Sequence, residues 1–182
     1  MNIFVPLPTE DAELCHPVDE DDFLRIAELV DGRPRAETWT PLKMELVREN
    51  EGEKLAESDA PWLGANALIF RQAALLAMGP LLRQFGELLP LKCARASLHL
   101  YNPTVVLDAL DEDASSVMRL RAGKIVLVKK YVFKPAALVG REVFKITSLA
   151  VSPTFVIERF VNEWTAAKLR GLEFEQVWSS EA

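Results

Sequence analysis

Short stretches of the chain are apolar or alternate apolar and polar residues, which is typical of β-strands. In residues 96–101, for example, Leu98 and Leu100 alternate with Ser97, His99 and Tyr101. The stretches that predict strands are 2–7, 42–47, 67–70, 87–92, 96–101, 124–133, 142–146 and 172–178. Residues 49–59 are polar and contain a glycine, so they are predicted to form a loop.

Other apolar residues recur every three or four positions, which predicts amphipathic helices. Proline cannot donate the hydrogen bond that a helix interior requires, so Pro80 is expected to begin a new helix. Strands and helices without regular alternation favour an α+β fold, a single domain with a mostly antiparallel sheet and a few packed helices. The predicted helices are one over 23–30 that ends near Gly32, one over 71–78, a short one from Pro80 to Phe85, and one that starts at Ser152-Pro153 and places Val156, Phe160 and Trp164 on one face.

The segment 96–132 organises the chain, because two strand-like stretches flank an acidic middle at residues 107–116. Relative to it we divide the chain into three parts. Residues 1–59 form an acidic N-terminal portion that can be a small subdomain, residues 60–178 an α+β domain, and residues 179–182 a C-terminal tail.

The chain has 182 residues and a net charge of −6, which is unevenly distributed. Residues 1–60 hold 16 acids and 6 bases, which gives −10, whereas residues 61–182 hold 11 acids and 15 bases, which gives +4. An acidic total disfavours general nucleic-acid binding, because phosphate contacts need a positive field. Neither a secretory signal nor a membrane span is predicted, and two cysteines give no disulfide framework, so we expect a cytoplasmic protein.

The residue types that bind metals do not occur at metal-binding spacings. Cys15, His16, Cys93 and His99 are a set that zinc could use, but neither pair has the usual separation. The acidic run at residues 19–22 lacks the glycine and distal glutamate of a calcium loop. Its position before a helix favours stabilisation of the helix dipole instead. No metal or other cofactor is predicted.

No catalytic or phosphate-binding motif occurs. The chain has neither a G-x-S-x-G sequence nor a glycine-rich phosphate loop. Asp108, Asp111 and Asp113 could hold a cation or act with His99, but aspartates at this spacing are also typical of a solvated turn. A small carboxylate- or metal-dependent enzyme therefore stays open as an alternative.

A basic segment lies at residues 119–145, where Glu142 is the only acid. Tyr131 and Phe133 are interleaved with its basic residues, and such a combination can bind single-stranded nucleic acid. A strand with its lysines in water and its aromatic rings in the core is the favoured explanation of the pattern, ahead of nucleic-acid binding. A third is a face that meets an acidic partner or the chain's own acidic N-terminal portion. The basic residues are Arg119, Arg121, Lys124, Lys129, Lys130, Lys134, Arg141 and Lys145.

The second half of the chain resembles a known family. The order of elements, which closes with a helix and a Gly-Leu-x-Phe-x-x-Val-Trp strand, is similar to immunity protein family eleven of bacterial polymorphic toxin systems. The resemblance covers roughly residues 60–178. The segments that carry it are Val105–Asp111 with Ser115, the strand at 124–133, Thr154–Phe160 and Gly171–Trp178.

This resemblance implies a non-enzymatic protein that binds a cognate toxin and protects the cell that produces it. It supplies no catalytic residues, and the family's toxin contacts cannot be assigned to positions in this chain. From the charge distribution we expect acidic residues to face a basic toxin. A homo-oligomer is left open. The expected contact residues are Asp19, Glu20, Asp21, Asp22, Asp111, Glu112 and Asp113.

Overall fold

The structure, a computed structural model, describes residues 1–50, 52–121 and 123–181. Ala182, in the predicted C-terminal tail, lies outside the described residues, as does Glu51 in the predicted loop. The helices are α1 (Asp21–Leu29), α2 (Gln72–Phe85) and α3 (Glu158–Ala166). The strands are β1 (Asn2–Pro8), β2 (Leu14–Pro17), β3 (Met44–Val47), β4 (Glu49–Asn50), β5 (Glu53–Lys54), β6 (Ile69–Arg71), β7 (Gly86–Leu91), β8 (Leu98–Pro103), β9 (Val106–Leu107), β10 (Ser116–Arg119), β11 (Ile125–Lys130), β12 (Val143–Ile146), β13 (Phe155–Ile157) and β14 (Leu172–Ser179).

Two sheets form the framework of the protein. The larger has the strand order β14-β1-β13-β12-β9, and all its neighbours are antiparallel except β12 and β9. The smaller, β6-β8-β7, is antiparallel throughout, and the pairs β2-β3, β4-β5 and β10-β11 form separate ribbons. The predicted α+β single-domain fold is confirmed.

Alternating side chains of the two sheets divide the core into three clusters. Helices α2 and α3 pack between the sheets, with Val156 of the larger sheet and Tyr101 of the smaller one. On the far side of the larger sheet, Phe155 and Phe144 pack beneath the β10-β11 hairpin. On the far side of the smaller sheet, Leu100 packs with residues of α1, β2 and β3. Central strands such as β12 and β8 therefore contribute to two clusters, as the pleat of a strand requires.

The predicted break in the helix at Pro80 is wrong. One helix, α2, runs from Gln72 to Phe85 with Pro80 inside it. The proline leaves the carbonyl of Leu76 without its usual donor. Leu76 is exposed, so water can bind that carbonyl, while the buried side chains on either side of Pro80 hold the helix in the core.

The predicted helix start at Ser152-Pro153 is also wrong. Strand β13 comes first, and α3 begins only at Glu158. The Ser152 hydroxyl accepts a hydrogen bond from the backbone N–H of Ile146 and donates one to the carbonyl of Pro153, so it does not cap a helix. In the predicted loop at 49–59, β4 and β5 form a short ribbon.

A buried carboxylate, Glu13, ties the N-terminal portion to the smaller sheet. Its Oε1 accepts hydrogen bonds from Arg71 Nη2 at 2.6 Å and from the backbone N–H of Ser58 at 3.1 Å. Its Oε2 accepts one from Arg48 Nε at 3.0 Å. The Glu13 side chain is fully buried, and these donors replace the water that its charge has lost. The division of the chain at residue 59 stays a prediction, and both β1 and the Glu13 contacts cross it.

We predict that Glu13→Gln lowers the free energy of unfolding by about 3 kcal/mol. The substitution leaves Arg71, whose side chain is 13% exposed, without a carboxylate partner in a buried site. The measurement is urea denaturation of both proteins. Glu57→Gln is the matched control, because it removes only an ion pair to Arg48 from a side chain that is 56% exposed. That variant should lose less than about 1 kcal/mol, and equal losses for the two variants would contradict the role of Glu13.

Candidate interaction site

The first acidic segment, residues 19–22, lies at the start of α1 and has only part of its charge exposed. Asp19 Oδ1 accepts a hydrogen bond from the backbone N–H of Asp21 at 3.1 Å, within the first turn. Asp22 is buried and its carboxylate is paired with Arg25 Nη1 at 2.6 Å. Glu20 and Asp21 are exposed, and their carboxylates form none of the ion pairs found among the described residues. Of the four predicted contact residues, these two are the ones that a partner can reach without breaking an existing contact.

The second acidic segment, residues 111–113, is also largely used within the fold. Asp111 Oδ1 accepts a hydrogen bond from the backbone N–H of Ala114 at 3.1 Å, which closes a turn. Glu112 is paired with Arg119, and this hydrogen bond lowers the pKa of the Glu112 carboxyl. Asp113 is exposed. The two acidic segments occur on different elements, one beside α1 and the other between β9 and β10.

The basic segment does not present its aromatic rings to a ligand. Phe133 is buried among the rings of the second core cluster, and Tyr131 stacks on it with the ring centroids 5.7 Å apart. Lys145 is also buried. Base stacking, which the nucleic-acid interpretation required of Tyr131 and Phe133, has no exposed platform at these two residues.

The sequence interpretation missed an apolar surface on the β10-β11 hairpin. Met118 and Leu127 are cross-strand neighbours, and they are 46% and 47% exposed. Their face lies opposite the Val117–Val128 pair, which packs on the second core cluster. Alternation of Met118 and Leu120 with Arg119 and Arg121 was a sequence signal for this second face. We call Met118, Leu120, Val126 and Leu127 the hairpin face, and all four are exposed.

Cys15 and Cys93 belong to the same core cluster, but the cysteines and histidines form no metal-binding group among the described residues. Cys15 is buried, and burial raises the pKa of its thiol to about 12, so it remains protonated at neutral pH. The ring of His16 packs edge-on against Phe23 at 5.5 Å, whereas His99 lies in β8. In the part of the chain that the structure describes, no group of three or more His, Cys, Asp or Glu side chains could hold a metal ion.

Two of the three aspartates considered for catalysis are engaged elsewhere. The Asp108 carboxylate accepts a hydrogen bond from Lys134 Nζ at 3.2 Å, and Asp111 closes the turn described above. His99 belongs to the smaller sheet, where burial and the nearby Arg83 lower the pKa of its imidazole. The pairing of these carboxylates with His99 is therefore not found in the fold.

Lys145 is a buried amine with two carbonyl partners. Its Nζ donates to the carbonyl of Val30 at 2.6 Å and to that of Asn66 at 2.8 Å. Burial lowers the pKa of this amine to about 8, and the negative charge of Asp31 works in the opposite direction. The side chain lines a small cavity of about 140 Å³ between α1 and residues 149–152. Its contacts join α1 to β12, which is a structural role.

Comparison with known proteins finds one family model that matches part of the chain. Residues 94–179 match the sequence model of the immunity protein family (Imm11). The match confirms the resemblance predicted from the sequence, and it begins further along the chain than residue 60. No curated protein matches the chain at a significant level. Among the described residues, no helix combines the length and the apolar character needed to cross a membrane.

We predict that Lys145 makes the protein more stable as the pH rises from about 8 to 10.5. In this range the unfolded lysine holds a proton that the folded one has released, so unfolding takes up a proton and becomes less favourable at higher pH. Relative to Lys145→Met, the wild-type free energy of unfolding should increase by about 2–3 kcal/mol across the range.

The measurement is denaturant unfolding of both proteins at several pH values. Comparison with the variant is required because Cys15 has the opposite effect. Its raised pKa lowers the free energy of unfolding as the pH rises above the usual thiol value of 9.0, in both proteins alike. Lys54→Met, at an exposed position, is the control and should change little with pH relative to the wild type. A constant difference between the wild type and Lys145→Met would contradict the prediction.

Proposed function

We propose that this chain, whose residues 94–179 match the immunity protein family, neutralises a cognate bacterial toxin by direct binding in the cytoplasm of the producing cell. The family match is the observation that carries the proposal. The matched segment contains β8–β14 and α3, which include four of the five strands of the larger sheet and the β10-β11 hairpin. The remaining strand, β1, lies between β13 and β14, so the N-terminal portion completes this sheet.

The mode of action that fits this fold is steric inhibition and not chemistry. A protein that binds over the toxin's active site, or that holds the toxin in an inactive shape, needs a rigid surface and complementary charge. Two sheets that share a central core cluster, each with a further cluster on its far side, provide the rigid surface. Asp108 is paired with Lys134, Asp111 closes a turn and His99 is half-buried in the smaller sheet, and this separation supports a role in binding over catalysis.

The acidic residues proposed to face the toxin are those with free carboxylates. Glu20, Asp21 and Asp113 are exposed, whereas Asp19, Asp22, Asp111 and Glu112 already hold turns or ion pairs. Residues 18–22 also line a surface concavity of about 710 Å³ together with residues 41–43. A basic side chain of a toxin could enter this concavity and meet Glu20 or Asp21, which would make the helix start the centre of the contact.

The direct test is co-expression with the polypeptide encoded by the adjacent reading frame. Cells that express this polypeptide alone should stop growing, and cells that also express the chain should continue to grow. The purified proteins should form a stable complex by size-exclusion chromatography. Growth arrest by the neighbouring polypeptide that the chain does not relieve would count against the proposal.

Charge reversal tests the contact residues separately. A triple variant should associate with that toxin about 10-fold or more slowly at low salt, because the charges that attract the basic toxin are lost. It carries Glu20→Lys, Asp21→Lys and Asp113→Lys. The rates should converge at high salt, where screening removes the difference.

Two further variants serve as controls. The neutral variant, with Glu20→Gln, Asp21→Asn and Asp113→Asn, should associate at an intermediate rate and keeps polar groups at the helix start. Glu10→Lys, Glu49→Lys and Glu53→Lys, the same charge change at other exposed positions, is the matched control. Equal rates for the two reversed variants would exclude a specific acidic contact.

A further inference from the structure

One exposed surface of α1 combines a large apolar side chain with unpaired carboxylates. Leu24 is 81% exposed. Glu20, Asp21 and Glu28 are three or four positions from it, so they surround it on the same side of the helix. All three acids are exposed, and none takes part in the ion pairs of the described residues. We call Glu20, Asp21, Leu24 and Glu28 the helix face.

The hairpin face has the opposite charge around a similar apolar centre. Lys129 lies beyond Leu127 on β11, and Arg121 and Lys124 flank the turn between β10 and β11. These three basic residues are exposed and are likewise absent from the ion pairs of the described residues. Four exposed apolar side chains on one hairpin, with unpaired positive charge around them, are typical of a surface that meets an acidic partner.

The two faces lie on either side of one short segment, residues 149–151. Ala27 and Val30 of the first helix line a cavity with Leu149, Ala150 and Val151. On the other side, the backbone N–H of Ala150 donates to the carbonyl of Ile125 at 3.0 Å, at the start of β11. Val151 is exposed between them. Residues 149–151 therefore connect the helix that bears the acidic apolar face with the hairpin that bears the basic one.

We propose that two copies of this chain form a two-fold symmetric dimer in which the hairpin face of each copy contacts the helix face of the other. A two-fold axis makes both contacts at once, because the same two faces occur on each copy. Each contact buries Leu24 against Met118 and Leu127 and sets Glu20, Asp21 and Glu28 opposite Arg121, Lys124 and Lys129.

The contact uses the face of the hairpin and not its free edge. Strand β10 has β11 on one side and is an edge strand on the other. The pairing register shifts between Ser116 and Val117 and again between Met118 and Arg119. Such bulges twist an edge away from regular pairing and disfavour the addition of another strand.

The dimer has a consequence for toxin binding, and this part rests on the proposed function. The contact covers Glu20 and Asp21, which the proposal above assigns to the toxin. Self-association and toxin binding through these residues then exclude each other, so the toxin has to displace one copy. A monomeric variant with an intact helix face should bind the toxin at least as fast as the wild type.

The test measures the mass of the purified chain in solution without any toxin. Sedimentation at low salt, at concentrations from about 1 µM to 1 mM, should show a change from one to two copies within the range of weak to moderate affinities. Raising the salt to about 1 M should shift the transition to higher concentration, because screening weakens the charge contacts. A single-copy mass over the whole range at low salt would overturn the proposal.

Two reversed variants locate the contact. The hairpin variant carries Arg121→Glu, Lys124→Glu and Lys129→Glu, and the helix variant carries Glu20→Lys, Asp21→Lys and Glu28→Lys. Each alone should stay monomeric, because like charges then meet in both contacts. An equimolar mixture should form a 1:1 dimer, because one contact of the mixed pair is wild-type and the other has both charges exchanged.

The remaining outcomes are also decisive. A control variant tests the effect of net charge alone. It carries Glu10→Lys, Glu49→Lys and Glu53→Lys and should dimerise as the wild type does. Circular dichroism verifies that each variant is folded. Two milder changes at exposed sites, Leu24→Ser and Leu127→Ser, should each lower the affinity of the dimer at least 10-fold. Dimerisation of the hairpin variant alone, or a mixture that stays monomeric, would overturn the proposed contact. A dimer that fails to form leaves the protection assay unaffected, so the two proposals fail separately.

Discussion

The carboxylate of Glu13 is the constraint on which much of the arrangement depends. A fully buried charge is stable only when donors surround it, and the donors here come from three other parts of the chain: Arg48 after β3, Ser58 in the following loop, and Arg71 at the end of β6. Arg71 is also the residue before α2, so the same contact fixes where that helix begins. The adjoining Asp59 exchanges backbone and side-chain hydrogen bonds with Arg170, just before β14. The acidic N-terminal portion is thereby attached to both sheets.

The core explains why the exposed surfaces lie where they do. Because each sheet alternates its side chains, each needs cover on two sides, and the central layer of α2 and α3 supplies one side for both. The outer sides are covered by the β10-β11 hairpin on the larger sheet and by α1 with β2 and β3 on the smaller one. A two-stranded ribbon and a helix of nine residues have one face in the core and one in water. Leu24 and Leu127 lie on those outer faces, so their exposure follows from the position of their elements at the two outer layers.

Local patterns predicted eight of the fourteen strands that the structure describes, but not the elements that depend on distant contacts. Alternation in residues 96–101 predicted β8, and the core cluster contains Leu98 and Leu100 as expected. Pro80 indicated a helix break, but packing on both sides of it outweighed the lost hydrogen bond. Ser152 and Pro153 matched a helix start in sequence, yet the hydroxyl bonds to β12, a contact between residues that no local pattern specifies. The importance of Glu13 had no sequence signal, because nothing near it distinguishes a buried glutamate from the exposed ones around it.

The same limitation applies to charge, and it changes what the uneven distribution means. The value of −10 for residues 1–60 already subtracts the arginines of that segment, but it does not locate the uncompensated carboxylates: Glu13 and Asp22 are buried in ion pairs and Asp31 is paired with two arginines. These charges contribute to the fold and are largely compensated at short range, so a partner at the surface does not experience them as net charge. What a partner meets is set by the carboxylates without a nearby cation, such as Glu20 and Asp21. A contact surface should therefore be sought where unpaired charge coincides with exposed apolar side chains, as at the start of α1 and on the β10-β11 hairpin.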